Sequence, residues 1–179
     1  MRVIAGEARG QPLVAPRGDG TRPITDRVKE TLFAILGDRV PDAAVLDLYA
    51  GSGAIGIEAL SRGAARATFV EQSRTALAAL RTNLERTHTD DRAEVVASDV
   101  ERFLASSAAR RDLVILDPPY EVRDIVAPLR LLVPSLAPAA IVVIKHFWRT
   151  DVPEVAGLTP VRQRRFGETM LSFLEAADT

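Results

Sequence analysis

A carboxylate, two prolines and an aromatic ring stand in a row at Asp117-Pro118-Pro119-Tyr120, directly after the apolar run Leu113-Val114-Ile115-Leu116. A short apolar run bounded by turn formers predicts a buried strand. Neither proline can donate a backbone hydrogen bond, so the chain must leave the sheet at Asp117 on a stiff, extended path. In open α/β sheets the carboxyl ends of the strands are where ligands bind. These residues in this order suit a clamp for a planar base that carries an amine. Asp117 and the Pro118 carbonyl accept hydrogen bonds from the exocyclic NH2, Pro119 fixes the path, and Tyr120 stacks on the ring. An ordinary strand-ending turn has the same composition, and the motif alone does not separate the two.

Three further acids sit where strands are expected to end. Asp47 lies near the end of Ala44-Val45-Leu46-Asp47-Leu48, Glu71 follows Ala67-Thr68-Phe69-Val70, and Asp99 follows Ala93-Glu94-Val95-Val96. After the first of these strands comes Tyr49-Ala50-Gly51-Ser52-Gly53-Ala54-Ile55-Gly56. Gly51, Gly53 and Gly56 fit the G-x-G-x-x-G pattern between a strand and a helix, and Glu71 stands about 20 residues on, where an acid meets ribose hydroxyls. Two guests suit such a loop. A dinucleotide would rest its pyrophosphate on the helix N-terminus. S-adenosylmethionine has no phosphate; for it, Asp47 offers an acceptor to the amino group and Glu71 takes the ribose hydroxyls. Asp99 then meets the adenine N6, and Val100 lies against the ring. Any one acid is explained by a solvated strand end, but three at successive strand ends are poorly explained that way.

The elements that must position these groups alternate. Strands are predicted at 44–48, 67–70, 93–96, 113–116 and 140–144. Helices lie between them: one to about Arg62, one capped by Ser73 with Ala76, Leu77, Leu80 and Leu84 on one face, a short one with Phe103 and Leu104, and one with Ile125, Leu129 and Leu132. Alternation of this kind implies an α/β fold, Rossmann-like and doubly wound around a mostly parallel sheet. Pro160–Arg165 and Thr169–Leu174 predict a C-terminal antiparallel hairpin around Phe166-Gly167. Ahead of the sheet, Arg2–Ala5 and Gln11–Val14 predict a small β-hairpin. A helix capped by Thr25 or Asp26 follows, with Val28, Leu32, Ile35 and Leu36 on one face. We therefore expect an N-terminal extension over residues 1–40 and a main domain over 41–179.

Composition bounds the function. The 179 residues suit one domain with a sizeable core. Cysteine is absent and histidine occurs twice, so disulfides and thiolate metal sites are excluded and no metal is expected. No apolar run reaches membrane-spanning length, and Met1-Arg2-Val3-Ile4 does not lead into a signal-peptide core; a cytoplasmic protein is expected. Net charge is −1, which argues against a uniformly basic nucleic-acid binder. The basic residues cluster, however. Arg2, Arg9, Arg17, Arg22, Arg27 and Lys29 lie near one end and Lys145, Arg149, Arg162, Arg164 and Arg165 near the other. They form either one basic face or a solvated surface.

Taken together, Asp47-Leu48-Tyr49-Ala50-Gly51-Ser52-Gly53, Glu71, Asp99 and Asp117-Pro118-Pro119-Tyr120 resemble the amino-group methyltransferases of class I. Three further segments, Arg2-Val3-Ile4-Ala5-Gly6, Arg22–Glu30 and Ala59-Leu60-Ser61-Arg62-Gly63-Ala64, narrow the resemblance to the RsmD-like bacterial 16S ribosomal RNA guanine-N2 methyltransferase family. The likeness runs over nearly the whole chain. Phe166-Gly167-Glu168-Thr169 departs from the Tyr-Gly-Asp-Thr run expected there. The resemblance implies S-adenosylmethionine as cofactor, with Tyr49 among the residues that bind it beside Asp47, Gly51, Gly53, Glu71, Asp99 and Val100. It implies Asp117, Pro118, Pro119 and Tyr120 at the reacting amine, and Arg9, Arg22, Arg27, Arg164 and Arg165 on RNA phosphates. The implied partner is 16S ribosomal RNA within a small-subunit ribonucleoprotein particle, met by a monomer. Methylation of adenine N6 or of another RNA or DNA base is the same-class alternative. A nicotinamide-dependent oxidoreductase and a non-catalytic RNA-binding module are the others.

Overall fold

The computed structural model describes residues 1–16, 24–119 and 125–178. Seven strands form one sheet in the order β3-β2-β1-β4-β5-β7-β6. They are β1 Ala44–Leu48, β2 Arg66–Glu71, β3 Ala93–Ala97, β4 Arg111–Leu116, β5 Leu136–Phe147, β6 Leu158–Phe166 and β7 Thr169–Ala176. The first five run parallel, and β7 pairs antiparallel with both β5 and β6. The helices are α1 Asp26–Leu36, α2 Ala54–Ser61, α3 Arg74–Thr87, α4 Val100–Ser106 and α5 Val126–Leu132. The mixed α/β sheet with its C-terminal antiparallel pair is the architecture that the sequence pattern predicts. The strand order reverses between β1 and β4, which is where a doubly wound sheet opens a crevice.

Alternation along the central strands sorts the core into two layers. Val45, Leu113, Ile115, Ile141 and Val143 pack on one face with Leu32 and Phe33 of α1, Ile57 and Leu60 of α2 and Leu80 and Leu84 of α3. Leu46, Leu48, Val114, Leu116, Val142 and Ile144 pack on the other with Val100 and Leu104 of α4 and Leu129 and Leu132 of α5. Asp47, Asp117 and Lys145 continue the parity of the first layer, so one face of the sheet carries all three.

At the N-terminus the predicted hairpin is reduced to one antiparallel bridge, Arg2 with Pro12. Beside it, Val3 N donates to the Gln11 carbonyl and Gly10 N to the Val3 carbonyl. The strands go no further because the Ile4 and Ala5 amides donate to the Glu58 carboxylate of α2, at 2.8 and 3.0 Å, instead of to a partner strand. Glu58 also meets Lys29 Nζ at 3.1 Å and Arg62 Nε at 2.8 Å. Lys29 is fully buried and donates to the Arg2 carbonyl, so it is part of the interior and not of a basic face. Val3, Ala8 and Leu13 join the same core as the sheet.

Two differences concern the sheet's far side. β5 extends to Phe147, three residues beyond the predicted end at Ile144, because β7 pairs with it as far as Thr169. β6 forms the sheet's edge: it pairs with β7 alone, and seven of its nine residues are exposed.

Candidate functional site

The loop after β1 is built for close approach. Tyr49, Gly51 and Gly53 all have positive φ, a conformation that glycine tolerates and tyrosine adopts only under constraint. Gly56 lets α2 press onto β2: a methyl group there would lie 2.3 Å from the Phe69 ring. Buried Asn83 of α3 fastens the loop, its Nδ2 donating to the Ser52 carbonyl at 2.9 Å and to the Val14 carbonyl at 2.9 Å. The loop is thus tied to both α3 and the N-terminal segment. Asn83 lies on the buried face that Leu80 and Leu84 define, and that position is the sequence signal for it.

The four acids come together at adjacent strand ends. Asp47 is 1% exposed, and its Oδ2 accepts from the Gly56 amide at 2.9 Å. That oxygen ties β1 to the first turn of α2, and the carboxylate is buried where sequence reasoning expects an open acceptor. Burial pushes its carboxyl well above the usual range, the Gly56 amide opposes this, and the charges of Asp117 and Glu71 add to it. Glu71, half-buried, accepts from Gly51 N at 2.9 Å through Oε2 and from Gln72 N and Ser73 N through Oε1. Asp99 caps α4 by accepting from Arg102 N at 3.1 Å through Oδ1, and the residue is exposed. Val100, next to it, is buried at the start of α4. Tyr49 packs on the same apolar layer. Its hydroxyl pKa is pushed up to about 12 by burial and by the charges of Asp99 and Glu101.

Asp117 follows β4 directly, and its amide donates to the Leu48 carbonyl at 3.3 Å. Its Oδ1 accepts from Lys145 Nζ at 2.6 Å. Burial pushes the Asp117 carboxyl up and Lys145 pulls it back, leaving it above the ordinary value. Sequence reasoning counts Lys145 among the C-terminal basic residues but does not pair it with Asp117, because it lies beyond the predicted end of β5. Pro118 is half-buried and Pro119 exposed. Tyr120 and Arg22 lie outside the described residues.

The expected RNA-facing arginines fall into two groups. Arg9 and Arg27 are exposed on the N-terminal segment and α1, and Arg164 and Arg165 are exposed on β6. Arg165 lies over the Trp148 ring at 3.8 Å from its centroid, and Arg149 at 4.6 Å. Trp148 follows β5, so this cluster stands beyond the same sheet edge as Lys145.

Chemically, the loop's surroundings are acidic. One backbone donor in the first turn of α2, Gly56 N, is already taken by Asp47, and the neighbouring side chains are Glu71, Asp99 and Asp117. A pyrophosphate is disfavoured here on both counts. A guest that presents hydroxyls, amines and a positive charge is favoured, and S-adenosylmethionine fits that donor set.

Comparison with known proteins places the whole chain. The family model described as "Conserved hypothetical protein 95" matches residues 1–175. The chain is 40% identical over 157 residues to the Escherichia coli protein named "Ribosomal RNA small subunit methyltransferase D", covering 87% of this chain and 79% of that one. The solved structure of Escherichia coli yhhF superposes with a TM-score of 0.89 at 36% identity, covering 100% of this chain and 99% of that chain. An RNA methyltransferase from Salinibacter ruber, solved in complex with S-adenosyl-L-homocysteine, shares the fold at a TM-score of 0.69 and 19% identity, covering 88% and 95%.

Proposed function

The chain belongs to the family described as Conserved hypothetical protein 95, and on that premise we propose that it methylates ribosomal RNA of the small subunit, with S-adenosylmethionine as donor and the exocyclic N2 amine of a guanine as acceptor. The name of the Escherichia coli relative supports the substrate class, and the Salinibacter neighbour holds the demethylated cofactor product on the same fold. The observation that carries the reading is Asp117-Pro118-Pro119 at the carboxyl end of β4, one strand from the glycine loop.

When bound, S-adenosylmethionine supplies a methyl group on a cationic sulfur. The residues of the chain then have separable tasks. Glu71 and Asp99 keep acceptor capacity beyond their backbone partners, Glu71 for the ribose hydroxyls and Asp99 for adenine N6. Tyr49 and Val100 border the ring. Asp47 ties β1 to α2 across the loop that Gly51 and Gly53 shape. Asp117 and the Pro118 carbonyl accept the two amine hydrogens and turn the nitrogen lone pair toward the methyl carbon. Positioning and electrostatics carry the catalysis. A stacked guanine must leave its helix to enter, so the target is a loop base or a flipped one. Tyr120 completes the clamp as a stacking ring, and Arg9, Arg22, Arg27, Arg164 and Arg165 hold phosphates.

The deciding experiment incubates the purified protein with methyl-labelled S-adenosylmethionine and small-subunit ribosomal RNA, naked and as particles, from cells lacking the gene. Nucleoside mass mapping then locates the methyl group. One methyl on a guanine N2 is the expected result. Label on adenine N6 moves the protein to the same-class alternative, and no incorporation with either substrate overturns the reading.

A further inference from the structure

Lys145 is the nearest charged partner of the amine clamp, yet neither the motif nor its spacing points to it. It stands on β5 at the position that continues the Leu116–Ile144 register toward Asp117. Its Nζ lies 2.6 Å from Asp117 Oδ1, with 11% of its side chain and 26% of the aspartate's exposed. Its backbone is fixed from both sides: β4 pairs with β5 up to Ile144, and on the other side Lys145 lies opposite Leu171 of β7. Lys145 is therefore held in the sheet, not on a loop.

We propose that Lys145 is a positioning residue of the methyl-transfer site, holding the Asp117 carboxylate ionised and turned along the sheet edge so that it stays an acceptor for the substrate amine. This rests on the amine-clamp reading above. Among the described residues, the charged groups that bear on Asp117 are few. Lys145 faces it from β5 and Asp47 from β1. Glu71 lies one strand further, at the end of β2, where its charge acts on Asp47. On β5 the next residue, His146, is turned to Ser172 on the other side, its Nε2 2.8 Å from the Ser172 hydroxyl. Among the described residues, Lys145 is thus the one cation facing Asp117, with the Asp47 carboxyl beside it. A carboxyl held among acids and half-removed from water takes up a proton readily. A protonated Asp117 would present a donor to an amine that needs an acceptor. With Lys145 on Oδ1, Oδ2 serves as one acceptor for one amine hydrogen.

The test compares wild type, Lys145→Met and Lys145→Arg in single-turnover methyl transfer to ribosomal RNA at saturating S-adenosylmethionine, from pH 5 to 9. Losing an opposite charge this close raises a carboxyl pKa by about 1–3 units. The acid limb of Lys145→Met is expected to move up by that amount, with the rate recovering to within a few-fold of wild type at the alkaline end. Lys145→Arg is expected to keep the wild-type limb. Carbon-13 NMR of aspartate-labelled protein without RNA, with Asp117→Asn to assign the resonance, reads the same carboxyl directly. An unchanged Asp117 titration in Lys145→Met overturns the proposal. So does a loss of rate that is uniform across pH, or one confined to KM, which would make Lys145 a phosphate contact. If wild type methylates a base other than guanine, the substrate reading fails while the NMR titration still decides the role of Lys145.

Discussion

Two lysine–carboxylate pairs flank the same sheet face, and they are built to opposite ends. Lys29 and Glu58 lie 3.1 Å apart with both side chains 0% exposed. Glu58 accepts from Lys29, Arg62 and the amides of Ile4 and Ala5. These four donors match the roughly four lone-pair positions of a carboxylate, so nothing remains for a ligand. Lys145 and Asp117 are closer, at 2.6 Å, but half-buried at a strand end, and among the described residues Lys145 is the one side-chain partner of Asp117. Saturation marks the first pair as structural. Spare acceptor capacity at the carboxyl edge of the sheet is what fits the second to the chemical role proposed for it. Burial alone would have ranked them the other way.

The largest effect should come from breaking the closed pair. Glu58→Ala strands a buried ammonium and frees two amides, and breaking a buried pair costs about 3–5 kcal/mol; urea unfolding should show a loss of that order. Turnover of whatever remains folded should stay near wild type. Asp117→Ala should do the reverse: a smaller stability loss than Glu58→Ala, because the Lys145 it leaves is only partly buried at a strand end, with turnover down roughly 10²–10³, as for loss of one transition-state hydrogen bond. Asp117→Asn, which keeps an acceptor oxygen, should fall less. If Asp117→Ala keeps wild-type turnover, the open pair is only a turn and the contrast collapses. Glu71 sharpens the comparison because it belongs to both kinds, holding three backbone amides while remaining half-exposed. Glu71→Ala should weaken S-adenosylmethionine binding by about 1.5–3 kcal/mol, read by calorimetry, with no heat from NAD in either protein. A clear preference for NAD would overturn the cofactor assignment.

Legibility followed the same division. Glu71, Asp99 and Asp117 were readable because each follows an apolar run, and an apolar run tells where a parallel strand ends. Lys145 was not, because β5 reaches past its apolar stretch on the strength of pairing with β7, a long-range fact that no local pattern carries. Glu58 sits in the otherwise apolar Ala54–Ser61 helix, where a lone acid reads as a solvent-facing residue. Lys29 looked like part of a basic run for the same reason. Both needed the tertiary contact that buries them. The N-terminal strands were over-read because their amides had a side-chain competitor 53 and 54 residues away.

The outer strand β6 presents a bare row of peptide groups along the margin of the sheet, the kind of border onto which a stray strand from another molecule can add. Its residues speak to that hazard. Pro160 withholds a donor, the register shifts between Pro160 and Arg162, and Arg162, Arg164 and Arg165 set repelling charges along the border, with Val161 at 52% exposed among them. Arg164 and Arg165, proposed above to hold RNA phosphate, therefore also serve, with Arg162, to guard against self-association. Replacing them would weaken substrate binding and, separately, shorten the shelf life of a concentrated solution.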